Sequence, residues 1–214
     1  MGQVWPAKVA SILQRMEWIE IALAGAELRI APTFLEADEA DALLAALRTE
    51  IPWEQHRLRI YGREHASPRL SCWIGDPGAT YVYSRTRFEP RPWPLALAAL
   101  KPRVEQACGG RFNSVLANLY RDGADGMGWH ADDEPELGPE PVIASLSLGA
   151  VRGFAFRDVA ERRQRLKLEL PHGSLLLMGG RTQALYQHAI AKSARALPPR
   201  LNLTFRWIHC RSAA

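Results

Sequence analysis

From Arg200 to Arg206 the chain reads Arg-Leu-Asn-Leu-Thr-Phe-Arg, an unbroken alternation of polar and apolar side chains. Such a period predicts a β-strand, because successive side chains of a strand point to opposite faces. Arg200, Asn202, Thr204 and Arg206 then share one face, and Leu201, Leu203, Phe205 and Trp207 share the other. Two guanidiniums flanking an amide and a hydroxyl make a face suited to planar carboxylates, which arginine grips through two parallel hydrogen bonds. An outer strand with one solvated face carries the same pattern. The rest of the chain decides between the two.

The 214 residues suit one large domain or two small ones. With 47% hydrophobic and 23% charged residues, the chain can bury a core and stay in solution. No apolar run is long enough to span a membrane, and Glu17 and Glu20 interrupt the apolar stretch around Trp18–Ala26. The N-terminus lacks the basic-then-apolar plan of a signal peptide. Both absences predict a cytoplasmic protein with no membrane partner. Cys72, Cys108 and Cys210 are far apart and odd in number, so they read as reduced structural thiols.

The formal net charge is +4, but its distribution says more than its size. Arg57, Arg59, Arg63 and Arg69 cluster with His56 and His65. Arg85, Arg87 and Arg91 follow, and Arg162, Arg163 and Arg165 form a third group. Acidic residues concentrate in Glu36–Asp41 and Asp132–Glu140. Separated basic patches are the footprint of a nucleic-acid partner, although an ordinary solvated surface also carries such groups.

The pattern predicts an amphipathic helix over Glu36–Glu50, with Leu43, Leu44 and Leu47 on one side and Pro52 stopping it. A second helix is expected over Trp93–Cys108, kinked at Pro102 and ended by Gly109–Gly110. After Gly110 short apolar or alternating runs take over: Phe112–Tyr120, Val142–Leu148, Gly153–Arg157, Leu166–Leu170, Ser174–Met178 and Leu201–Ile208. Many short strands separated by turns predict a sandwich or barrel of jelly-roll type, with helices packed on it.

His130-Ala131-Asp132 follows the turn-rich Asp122–Gly128. On a strand, residues two apart face the same way, so an imidazole and a carboxylate converge. His188 comes much later, after Gly179–Gly180. Two histidines and one carboxylate are the ligand set of non-haem iron oxygenases, which leaves metal positions open for a chelating cosubstrate and dioxygen. His-x-Asp alone is a weak signal, and six histidines are available. The added weight comes from the polar face of Arg200–Arg206, a cationic end for a dicarboxylate whose other end chelates the metal.

With these pieces together, the sequence resembles the AlkB family of iron(II) and 2-oxoglutarate-dependent dioxygenases. The matching motifs are Asn118-Leu119-Tyr120, His130-x-Asp132, His188 and Arg200-x-Asn202-x-Thr204-x-Arg206, in the family's order. The resemblance implies an α+β fold: a double-stranded β-helix (jelly roll) core with N-terminal helices and a nucleotide-recognition lid. It implies a single domain over residues 1–214, with about 1–110 forming the N-terminal extension and lid and about 111–210 the catalytic core. It further implies that His130, Asp132 and His188 ligate Fe(II), and that Arg200 pairs with the distal carboxylate of 2-oxoglutarate. Arg206 is expected near the metal-bound end and Asp132. Asn118, Tyr120, Asn202 and Thr204 complete the cosubstrate site, and O2 is the co-reactant.

On the substrate side the chain is similar to the duplex-DNA-repair branch of that family. Tyr61, in Ile60-Tyr61-Gly62, takes the place of an aromatic wedge at a hairpin tip, where the branch usually carries Phe. Tyr81 and Tyr83 share a strand face and can line a pocket against a flat base. Asp133 and Glu134 follow the iron motif and correspond to acids that contact the exocyclic amine of a damaged base. Arg69 joins these substrate-binding positions. Residues Met1–Arg29 match no feature of the family, and Val159–Lys167 reads as a generic basic loop. The activity implied is oxidative demethylation of 1-methyladenine and 3-methylcytosine in alkylated DNA, duplex and single-stranded, with release of formaldehyde, succinate and CO2. The alternatives are an RNA demethylase or hydroxylase of the same family, and a nucleic-acid-binding module that no longer turns over.

Overall fold

In a computed structural model, which describes residues 17–60, 63–83 and 86–209, the described residues form fifteen strands and three α-helices. In order they are β1 (Ile19–Glu20), β2 (Glu27–Ala31), α1 (Ala37–Glu50), β3 (Arg57–Ile60), β4 (Arg63–Ala66), β5 (Leu70–Gly75), β6 (Tyr81–Tyr83), β7 (Thr86–Phe88) and α2 (Leu95–Cys108). Then follow β8 (Ser114–Tyr120), β9 (Met127–His130), β10 (Ile143–Gly149), β11 (Arg152–Asp158), β12 (Gln164–Leu170), β13 (Ser174–Gly179), α3 (Thr182–Leu185), β14 (Tyr186–Ile190) and β15 (Arg200–Arg206).

Two antiparallel sheets face each other as a jelly roll. The major sheet has seven strands in the order β1-β2-β13-β10-β15-β8-β5, and the minor sheet has four in the order β12-β11-β14-β9. Strands β3 and β4 form a separate hairpin, as do β6 and β7. Strand β15 is therefore interior, between β10 and β8, and all seven of its residues are buried. Its alternation divides the molecule. Leu201, Leu203 and Phe205 join Leu146, Leu148 and Ala117 in a core closed by Leu47 of α1 and Leu97, Leu100 and Val104 of α2. A second core lies between the sheets, where Ile143, Leu176 and Met178 meet Phe154, Phe156, Tyr186 and Ile190. The polar face of β15 shares that inter-sheet space. Trp207 does not continue the apolar face: the strand ends at Arg206 and Trp207 is 38% exposed, with the Arg111 guanidinium over its ring.

The helices follow local chemistry. Asp38 and Glu39 sit in the first turn of α1, favourable to its dipole. Ile51 is extended because the following Pro52 excludes the helical conformation. Helix α2 starts two residues later than the sequence predicts, since Pro94 forces Trp93 out of helix and itself serves as an extended N-cap. Gly109 closes α2 in the left-handed conformation, at φ 66°.

One expectation needs correction. Residues 159–167 are not one loop: β12 begins at Gln164, because Leu166, Leu168 and Leu170 alternate inward and pair with β11. Nearer the N-terminus, β1 and β2 extend the major sheet beyond β13. Cys72 and Cys108 are buried free thiols, and burial pushes them up to about 11 and about 12. Cys210 lies outside the described residues. Among the described residues no helix is long and apolar enough to cross a membrane.

Candidate active site

His130, at the end of β9, and His188, on β14, stand directly opposite one another across the minor sheet. Their rings are 4.2 Å apart between centroids. One ligand atom from each of His130, Asp132 and His188 can be chosen so that all lie within 4.8 Å of one another. The His130 ring is oriented: its Nδ1 lies 2.9 Å from the Gly128 carbonyl. A proton on Nδ1 donates there and leaves the Nε2 lone pair facing Asp132, whose Oδ1 is 3.9 Å away. Phe154 and Phe156 pack on His188, at 5.0 and 6.0 Å between centroids. Burial, aided by His130, pushes His188 down to about 3, and burial also lowers His130. Both imidazoles are thus neutral at neutral pH, the form that binds metal.

The carboxylate arrives differently from expectation. Strand β9 stops at His130, so Asp132 is not on the strand and strand alternation does not aim it. Two other contacts hold it. Arg206 Nη2 donates to Asp132 Oδ1 at 2.6 Å, with both side chains buried. The Asp132 backbone N–H donates to Gln183 Oε1 at 3.0 Å. Burial opposes the charge on Asp132, but Arg206 together with His188 and His130 outweighs it and holds the carboxyl below the usual range. Nothing in the sequence signalled Gln183, because the contact spans 51 positions.

At the other end of β15, Arg200 is fully buried. Its Nη2 donates to Ser147 Oγ and Asn202 Oδ1, both at 2.8 Å. Asn202 Nδ2 then donates to Thr204 Oγ1 at 2.8 Å, and Ser145 Oγ donates to Asn202 Oδ1 at 3.0 Å. The Arg200 guanidinium lies 5.4 Å from the Tyr120 ring. Asn118 and Tyr120 stand opposite Asn202 and Arg200 on β8. Among the described residues Arg200 Nε and Nη1 are buried without a hydrogen-bond partner. Desolvation lowers Arg200 to about 10, so it remains a cation, with no carboxylate beside it among the described residues. Buried guanidinium donors of this kind fit a carboxylate ligand. Ser145 and Ser147 were not anticipated, although Ile143–Gly149 shows the same alternation as β15 and offered the signal.

Residues 27–206 match the profile of the 2OG-Fe(II) oxygenase superfamily. The chain is 42% identical over 187 residues to the human Alpha-ketoglutarate-dependent dioxygenase alkB homolog 3, with 83% of this chain and 65% of that protein covered. It is 37% identical over 206 residues to the mouse DNA oxidative demethylase ALKBH2, with 92% of this chain and 86% of that protein covered. The chain belongs to the AlkB family. It spans about 65% of the length of the alkB homolog 3 relative. The solved structure of OsALKBH1 superposes with a TM-score of 0.62 at 18% identity, over 88% of this chain and 99% of that one, a likeness of fold. The superfamily's name carries Fe(II) and 2-oxoglutarate with it, and the residues fit both. A three-residue cluster is ready for a metal, and a buried guanidinium with unpartnered donors is ready for a carboxylate.

The positions compared with the substrate side of AlkB proteins are more dispersed. Arg69 is buried and its Nε donates to Asn118 Oδ1 at 2.8 Å, which joins it to the polar network of β8. Asp133 is exposed and Glu134 half-buried, just ahead of a 3-10 turn at Pro135–Leu137. Tyr81 and Tyr83 stand on β6, opposite Phe88 and Thr86 of β7. Tyr61 lies outside the described residues, between the paired ends Ile60 and Arg63.

Proposed function

We propose that the chain is an Fe(II)- and 2-oxoglutarate-dependent dioxygenase that removes N-methyl groups from nucleobases in DNA, 1-methyladenine and 3-methylcytosine foremost. The observation that carries this reading is the pair of buried cationic ends on one face of β15. Arg206 is bound to Asp132 of the histidine-carboxylate cluster, and Arg200 holds unpartnered donors. Iron, 2-oxoglutarate and dioxygen together supply the oxidation of the methyl carbon, with succinate and CO2 as the cosubstrate's products and formaldehyde as the methyl's.

The chain's own residues bind, orient and exclude water. His130, Asp132 and His188 hold the metal through two neutral nitrogens and one carboxylate oxygen. Arg200, with Asn118, Tyr120, Asn202 and Thr204, receives the cosubstrate along the polar face. Phe154 and Phe156 keep the His188 side dry. His130 is the more accessible ligand, with 24% of its side chain exposed against 4% for Asp132. The base therefore approaches from the His130 side. In this reading Asp133, Glu134, Arg69, Tyr61, Tyr81 and Tyr83 bind the base. DNA is favoured as the nucleic acid because ALKBH2 is named a DNA oxidative demethylase.

The test is mass spectrometry of methylated single- and double-stranded oligonucleotides incubated with the chain, Fe(II), ascorbate and 2-oxoglutarate. Loss of one methyl group per lesion is expected, dependent on 2-oxoglutarate. Succinate formation with no change in any oligonucleotide would rule out nucleobase demethylation while leaving the oxygenase assignment in place. Tyr61→Ala should weaken repair of duplex more than of single strands, since opening a duplex costs a few kcal/mol that a single strand does not face.

A further inference from the structure

We propose that Gln183 is a positioning residue of the metal centre, setting the backbone from which Asp132 reaches the metal. This rests on the reading of His130, Asp132 and His188 as metal ligands. Because β9 ends at His130, no sheet ladder fixes the peptide of Asp132. Arg206 fixes one carboxylate oxygen, and Gln183 fixes the main chain through its acceptance of the Asp132 N–H. Gln183 is only 3% exposed, and its Nε2 turns to the thioether of Met178 at 3.6 Å. The amide orientation follows from chemistry, since only the carbonyl oxygen can meet an N–H donor. A neutral acceptor also meets that N–H without placing a second negative charge beside Asp132.

The same turn governs the other ligand. Gln183 lies on α3, which leads directly into β14 and His188. One short turn therefore ties the Asp132 segment to the His188 strand. The turn is itself clamped by β2 and the segment that leads into it. Thr182 Oγ1 donates to the Gly179 carbonyl at 2.6 Å and accepts from Glu27 N–H at 3.1 Å. Tyr186 donates to the Ala24 carbonyl at 2.7 Å. Gly25 has φ +70°, and a Cβ there would come within 2.9 Å of Leu185 Cδ1. Residues 24–27 thus brace the metal centre from behind, through α3.

The test uses Co(II) as a spectroscopic probe, titrated anaerobically into the full chain, with amide hydrogen exchange of Asp132 followed by NMR. Removing the partner that orients a metal ligand typically weakens metal binding about 10–100-fold. Gln183→Leu should raise the Co(II) Kd by about tenfold or more and speed exchange at Asp132. Gln183→Glu keeps an oxygen at the same reach and should recover the exchange protection. If Gln183→Leu does not fold, Gln183→Asn carries the same test, its oxygen one methylene short. A folded Gln183→Leu or Gln183→Asn chain with either readout unchanged overturns the proposal. A wild-type chain that binds no Co(II), or binds it equally after His130→Ala, overturns the metal reading and this proposal together. A His130-dependent site that Gln183→Leu leaves untouched overturns this proposal alone.

Discussion

Arg200 and Arg206 occupy opposite ends of one strand, on one face, with exposures of 0% and 3%. Their surroundings differ in one respect. Arg206 meets a carboxylate of its own chain, Asp132, at 2.6 Å. Among the described residues Arg200 meets neutral oxygens, from Ser147 and Asn202, and the phenol of Tyr120, but no carboxylate. A buried cation needs a counter-charge, because desolvation costs several kcal/mol per ion. At the Arg206 end the fold supplies it. At the Arg200 end the fold leaves it to a ligand. The same residue type in the same strand therefore has two roles, one that holds a metal ligand in place and one that receives the cosubstrate.

The largest effect belongs to the metal cluster. His130→Ala removes a ligand without leaving a buried charge unpaired, so the variant should melt cooperatively yet lose iron and turnover. Formaldehyde release above a metal-free control would dismiss His130 as a ligand. Next comes the contrast between the arginines in the metal-free, cosubstrate-free chain. Arg206→Met strands the Asp132 carboxylate, and breaking a buried pair costs about 3–5 kcal/mol. Arg200→Met removes a cation that has no carboxylate, so it should be neutral or stabilising. Urea unfolding of the two variants measures the difference, and equal losses would erase the distinction. For the cosubstrate the order reverses at Arg200. A charge-assisted contact of about 1.5–3 kcal/mol means that Arg200→Ala weakens 2-oxoglutarate binding by at least about tenfold. Arg200→Lys should recover only part of this, since an ammonium lacks the planar fork. An anaerobic titration giving the wild-type constant would remove Arg200 from the site.

The alternation of Arg200–Arg206 was legible because a two-residue period survives in sequence, and the structure makes it the interior strand that the carboxylate-gripping reading needed. Most strands after Gly110 were legible from their short apolar or alternating runs, β9 and β14 excepted, as were α1 and α2 from their apolar spacing and bounding Pro and Gly residues. What sequence could not show was contact made across the fold. Strand alternation was credited with aiming Asp132, whereas Arg206 and Gln183 aim it from 74 and 51 positions away. The role of β2 was equally hidden, because Glu27 reaches Thr182 through a backbone N–H that carries no side-chain signature.

The smallest effect concerns the β8–β9 loop, which leaves Tyr120 at the Arg200 end and contains a carboxylate of its own. Asp125 is buried, yet among the described residues every hydrogen bond to its side chain comes from Arg121: the backbone N–H at 2.9 Å, Nε at 2.8 Å and Nη2 at 2.9 Å. Arg152 ties the same loop to the one after β14, donating to the Asp122, Asp125 and Ala191 carbonyls. If this carboxylate served Arg200 as a counter-ion, the contrast between the two arginines would weaken. Its partners show it engaged elsewhere, so Asp125→Asn should leave 2-oxoglutarate affinity close to wild type. Its effect on stability should be no more than about 1 kcal/mol, since Arg121 is largely exposed and its pair is screened by water. The sign with pH follows from the direction of the shift. Burial alone would raise the Asp125 pKa, but the Arg121 hydrogen bonds outweigh it and hold the carboxyl below its ordinary value. An unfolded Asp titrates near about 3.9, so the native state binds fewer protons there and the stabilisation is fully present above that pH. It is lost as pH falls through the lower folded value. The difference in unfolding free energy between wild type and Asp125→Asn should stay constant from about pH 7 to about pH 5 and shrink below about pH 4. A difference that grew on acidification would show that Asp125 is held by something other than Arg121. A large loss of 2-oxoglutarate affinity in Asp125→Asn would make this loop part of the Arg200 end after all.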